Sequence, residues 1–321
     1  LAGMVKVYLP SPLSVSLTES PFLSVTVNLS SSYPSSGFTV TVTVLPLEAR
    51  VGLTFTLPLS VSSTLTVYRV ELEEEPPEEP PTEETQMPTV PPEKNPYNRR
   101  DFQFDSHNYL LCTQQDSYPG IDVSSFQGRI DWQKVKASGI RFAMIRLGYR
   151  GYGQAGNMVE DDYARRNLEE ARKAGLEIGA YFFSQATTVD EVDDEIFFFM
   201  KILGDTELTM PIVLDWERVG VETARTNNVD AETLTAMQKH FCKTMVDFGY
   251  TPMVYFNWHL AESSLYLSEL EDYPFWLALY QNYMTYPFRV EMWQYTCTGR
   301  VPGIQGDVDI DVYMPDPTKI Q

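Results

Sequence analysis

From Tyr97 onward one alternation repeats along the chain, and it restricts the fold more than any single residue does. Short apolar runs, "GIDVS" (120–124), "FAMIRLGY" (142–149), "EIGAYFFS" (177–184), "PIVLDWE" (211–217), "PMVYFNW" (252–258), "FWLALY" (275–280), "VEMWQYT" (290–296) and "VDIDVY" (308–313), are separated by polar stretches. Four of these stretches, "DWQKVKASG", "DDYARRNLEEARKAG", "VDEVDDEIFFFMKILG" and "DAETLTAMQKHFCKTMVDFG", carry apolar residues at helical spacing and close at glycine. Glycine ends helices because it enters the left-handed conformation without a Cβ clash. Brief apolar runs bounded by turn residues read as buried strands, and strands alternating with helices form parallel sheets. About eight strands, with helices between the first five or six, predict an α/β barrel of TIM type whose last strands have shorter links.

In such a barrel, functional groups sit where the strands leave the core at their carboxyl ends. "IVLDWE" runs straight into Asp215 and Glu217. As residues i and i+2 they leave the same strand face, roughly 6 to 7 Å apart. Asp122 stands in the same place on the first run, and Asp309 opens the last. Carboxyls gathered at one mouth raise one another's pKa, so that one holds a proton near neutral pH while a neighbour stays ionised. That division of labour suits glycosidic bond cleavage. Four carboxylates equally suit a divalent cation. The aromatics favour the sugar, because flat rings stack on pyranoses and a metal site has no use for them. Tyr149, Tyr181, Tyr255, Trp276, Tyr280, Trp293 and Tyr295 fall near strand exits, with Gln294 between the last two, although any one of these rings also fits a core. No metal and no cofactor is expected.

Other chemistries lack their residues. His107, His240 and His259 are scattered, with no HExxH and no Gly-x-Ser-x-Gly, and "GYRGYG" lacks the order of a dinucleotide loop. Cys112, Cys242 and Cys297 form neither a zinc spacing nor an even disulfide set. A net charge of -20, with basic residues no more clustered than Arg99-Arg100, excludes nucleic acid as a partner. No run approaches the roughly 20 apolar residues of a membrane helix.

Residues 1–70 alternate in period two, as in "SVTVNL" and "FTVTVTVL", and predict a small β-sandwich module for spacing or attachment. Residues 71–97 hold nine glutamates and one lysine among prolines and predict a stiff, solvated linker. The barrel then takes residues 98–321.

The motifs "GIDVSSFQGRIDW", "GAYFFSQA", "PIVLDWE", "GYTPMVYFN", "FWLALY" and "MWQYTCTGRVPGIQGDVDIDVY", in this order, resemble the glycoside hydrolase family 25 lysozymes, the Chalaropsis-type N-acetylmuramidases. The resemblance runs from about Gly120 to Tyr313. It implies a flattened barrel that hydrolyses the β-1,4 bond between N-acetylmuramic acid and N-acetylglucosamine in peptidoglycan. It also implies Glu217 as general acid, with Asp215, Asp122 and Asp309 as the other acidic positions. Peptidoglycan strands are the expected partner, outside the cell or on its surface, and the chain is expected to be a monomer; no export signal is visible at Leu1. The competing reading is a cell-wall-binding or adhesive protein that keeps the cleft without turnover. Such a binder has no need of a proton donor.

Overall fold

The computed structural model describes residues 92–316 and, before them, the backbone of five strands. The chain divides into two compact units, Leu1–Gln86 and Met87–Gln321. In the first, Met4–Val7 pairs antiparallel with Val70–Glu73, and Leu13–Thr18, Ser24–Leu29 and Phe38–Thr43 form an antiparallel three-stranded sheet. The remainder of the expected sandwich, and residues 74–91 of the expected linker 71–97, lie outside the described residues; residues 71–73 of that linker belong to the strand Val70–Glu73.

The second unit is built on eight strands: β1 (Tyr118–Val123), β2 (Phe142–Arg150), β3 (Glu177–Ser184), β4 (Ile212–Trp216), β5 (Pro252–Asn257), β6 (Phe275–Ala278), β7 (Met292–Gly299) and β8 (Val308–Tyr313). They pair in chain order and β8 closes on β1, so the sheet is a barrel with no free edge within this ring. Five α-helices follow the first five strands: α1 (Trp132–Ala137), α2 (Ala164–Lys173), α3 (Val189–Leu203), α4 (Ala231–Asp247) and α5 (Trp258–Ser263). Local signals fix their ends. Thr188 caps α3 and Asp230 caps α4 through side-chain oxygens that accept from Glu191 N and Thr233 N. Gly175 and Gly249, at φ 83° and 84°, turn the chain out of α2 and α4.

The barrel departs from a regular eightfold β/α repeat at its end. β1 to β7 run parallel, but β8 is antiparallel to both its neighbours. A parallel crossover needs a dozen or more residues. The link 300–307 is too short for one, so the chain turns back as a hairpin.

Period two sorts each strand into two cores. Outward residues such as Ile212, Leu214, Phe182 and Phe256 pack with Phe199 and Phe241 from the helices. Inward residues Phe142, Met144, Val213, Met253, Met292 and Tyr313 fill the barrel, and Tyr181, Tyr255 and Trp276 continue that layer upward. Gly120 is part of this fit: a Cβ there would stand 2.1 Å from the Phe142 ring. Ahead of the barrel, residues 93–95 at the end of the proline-rich stretch lie on it. Lys94 bridges to Phe288, and Glu93 meets Arg289 at 3.1 Å.

Candidate active site

The inward layer of β4 reads Val213, Asp215, Glu217 toward the carboxyl end, while Trp216 points outward. The Trp216 ring nitrogen donates to Ala186 O at 2.8 Å, and Gln185, fully buried, donates to Glu217 O at 2.6 Å. These two bonds tie the exit of β4 to the exit of β3 and fix where Glu217 leaves the sheet.

Asp215 and Glu217 line a cavity of about 220 Å³ at the barrel mouth, together with Asp122 and Asp309. The reversal of β8 accounts for Asp309. Because β8 starts at this end of the barrel, its second residue lies in register with Asp122 of β1. The four acids anticipated from sequence are therefore brought together.

Glu217, half-buried, shares a hydrogen bond with Asp215 and another with Tyr255. Burial is the main cause holding its pKa above the ordinary glutamate value, and Asp309 adds to it. Asp215 is 7% exposed, and its Oδ1 has no hydrogen-bond partner. Burial, then the Glu217 charge, raises its pKa well above the usual range. Asp122 is raised likewise by burial and then by Asp309 and Asp311, and burial pushes Asp309 up to about 6. Carboxyls gathered in one low-dielectric mouth resist ionising together, and each holds its proton more tightly than it would in water.

Trp276, Tyr255 and Tyr181 form a wall of edge-on rings, with centroids 5.0 and 6.3 Å from Trp276. Tyr280, 57% exposed, stands at the rim and donates to Gln294 Oε1 at 3.1 Å. Gln294 in turn donates to Asp122 Oδ2 at 2.7 Å. Tyr181, Tyr255, Trp276, Tyr280 and Gln294 thus reach the cavity.

Three expected aromatics do not. Trp293 is fully buried on the outer face of β7, where its ring nitrogen donates to Leu279 O and its ring packs on Phe102. Neighbours on a strand face opposite ways, so with Gln294 inward Trp293 must point outward. Tyr295 faces the same way and receives Leu110 N on its hydroxyl. Tyr149 does not line the cavity; its ring lies 5.5 Å from the Arg146 guanidinium.

Arg146 and Phe126 also line the cavity and were not anticipated. Arg146 is held by Asp161 at 2.8 Å and by Ser125 Oγ at 3.1 Å. Its signal was a lone charge inside the apolar run "FAMIRLGY". Phe126, 84% exposed on the turn after β1, has no periodic signature. Asp311, fully buried behind Asp122, was missed as well.

A barrel mouth with a hydrogen-bonded Asp-Glu pair, further buried carboxyls and an aromatic wall has the parts that glycosidic bond cleavage uses. The family model "Glycosyl hydrolases family 25" matches residues 121–304, and the chain belongs to this family. Protein YegX of Escherichia coli O157:H7 is 32% identical over 204 residues, which cover 60% of this chain and 68% of YegX. Lysozyme M1 of Streptomyces globisporus is 28% identical over 207 residues, covering 59% of this chain and 65% of that protein. Among solved structures, the modular autolysin LytC of Streptococcus pneumoniae, in complex with a synthetic peptidoglycan ligand, is similar with a TM-score of 0.56 and 25% identity. That match covers 70% of this chain and 52% of LytC, so the chain spans about half of LytC's length.

Proposed function

We propose that the chain is a lysozyme that hydrolyses the β-1,4 bond between N-acetylmuramic acid and N-acetylglucosamine in peptidoglycan. The observation that carries this reading is the Asp215–Glu217 pair at the barrel mouth, two hydrogen-bonded carboxyls that burial holds above their ordinary pKa values, beside Asp122, Asp309 and the aromatic wall. Glu217, its proton retained by burial, protonates the leaving oxygen as the bond to the anomeric carbon breaks. The substrate's own acetamido oxygen then bonds to that carbon from the opposite face. The Asp215 carboxylate, which lines the cavity, accepts the acetamido N–H and balances the charge that develops on the amide. Water, losing its proton to the Glu217 carboxylate, displaces the acetamido oxygen, and two inversions leave the β configuration in place. Substrate assistance of this kind is a recognised variant of two-carboxylate glycoside cleavage.

Tyr181, Tyr255, Trp276 and Tyr280 supply the apolar surface a pyranose stacks on, while Gln294 holds Asp122 in place. Lysozyme M1 and the peptidoglycan complex of LytC support this substrate class. Because the wall lies outside the membrane, the chain acts outside the cell or on its surface, as a monomer, with the first unit serving attachment. Among the described residues no helix is long and apolar enough to cross a membrane. Mass spectrometry of muropeptides released from purified peptidoglycan tests the proposal. Products with reducing-end N-acetylmuramic acid are expected, and reducing-end N-acetylglucosamine would overturn the assignment of the bond.

A further inference from the structure

Asp311 is a fully enclosed carboxyl for which the reaction above has no use. Its Oδ1 accepts the Trp276 ring N–H at 2.9 Å, and no donor reaches its Oδ2. Within hydrogen-bonding reach stands the carboxyl of Asp122, whose Oδ2 is already taken by Gln294. Two carboxyls that meet in a dry interior repel unless a proton lies between them.

We propose that Asp311 is a positioning residue that shares one proton with Asp122, so that the pair carries a single negative charge and Asp122 is held facing the cavity. The inference rests on the lysozyme reading only for what Asp122 then does to substrate; the shared proton stands on the geometry alone.

Among the cavity-lining residues Arg146 is the one cation. Facing the pair are Arg146 from β2, Tyr181 from β3, Asp215 and Glu217 from β4, Tyr255 from β5, and Asp309 on β8 itself. Trp276 and Gln294 contribute neutral donors, and Tyr295 lies on the outer side of β7. Arg146 is engaged by Asp161. Burial pushes the Asp311 carboxyl up to about 8, and the Asp309 charge acts in the same direction. Below that pH the pair bears one charge. Above it a second charge appears beside Asp309 and Asp215, drives Asp122 from Asp311, and loosens the Trp276 wall.

Asp311→Asn is the decisive variant, because the amide keeps an oxygen for Trp276 and offers an N–H to Asp122 but cannot ionise. The ratio of variant to wild-type kcat/KM on soluble wall fragments is expected to stay constant between pH 5.5 and 7. It then rises to about tenfold by pH 9, as one additional ionisation removes the wild type. Asp311→Leu, which removes both bonds, is expected to lower kcat at least about tenfold across the range, with Asn restoring it.

A second readout needs no activity. A carboxyl whose folded pKa is raised makes the folded state lose stability as pH rises from its unfolded value, about 3.9, to its folded value, after which the loss is constant. The Tm advantage of Asp311→Asn over wild type should therefore grow from pH 5 to pH 8 and level off beyond. A Tm difference independent of pH would overturn the shared proton, even if the enzyme cleaves as proposed. An activity ratio flat through pH 9 would overturn the coupling of that proton to the site. Failure of the wild type to release muropeptides would strike the lysozyme reading alone.

Discussion

Replacing Glu217 by Gln isolates a single event, delivery of a proton to the leaving oxygen. The amide matches the acid in shape, and both of its contacts have a counterpart: its N–H₂ donates to Asp215 and its oxygen accepts from Tyr255. Neither the cavity nor the aromatic wall should change. General acid catalysis supplies about 10² to 10⁴ in rate, which is about 2.7 to 5.4 kcal/mol of barrier. We expect kcat to fall by at least about 100-fold with KM little altered. The folded pKa of Glu217 is raised by burial, so the wild type loses stability as pH climbs from the unfolded value toward the folded one. An uncharged Gln avoids that loss, and its Tm at pH 7 should equal or exceed that of the wild type. Clearance of a cell-wall suspension and release of reducing ends, read alongside thermal melting, check both expectations. Turnover within tenfold of wild type by a fully folded variant would remove Glu217 as the acid.

Proton NMR of the first reducing ends should show the β anomer before mutarotation, and wall whose muramic acid lacks the N-acetyl group should resist cleavage; an initial α anomer would return Asp215 to the role of base for water. A chain beginning at Pro92 should fold and cleave soluble fragments, whereas one beginning at Tyr97, without the Glu93–Arg289 pair and the Lys94 bridge, should melt at a lower temperature. Phe241→Ala removes a fully buried ring that packs on Phe199 at 6.0 Å, and should cost about 3 to 5 kcal/mol in chemical denaturation without changing KM.

Much of this was legible in the chain itself, because the rules involved are local. Period two put Asp215 and Glu217 on one face of β4, and terminal glycines marked where α3 and α4 end. The same rule, applied to Trp293 and Gln294, forbids both from facing the barrel. Both had been expected there because proximity to a strand end was weighed ahead of side-chain alternation. Direction and neighbourhood were decided by closure. Asp309 reaches the mouth only because β8 runs backwards, a consequence of a link too short for a crossover. Asp311 meets Asp122 across strands far apart in sequence, and Arg146 meets Asp161 of the segment that follows its own strand. A residue's face on its own strand is set by backbone geometry and is written in the sequence. The partner it meets across the barrel depends on strand order, direction and register, which exist only once the ring is closed.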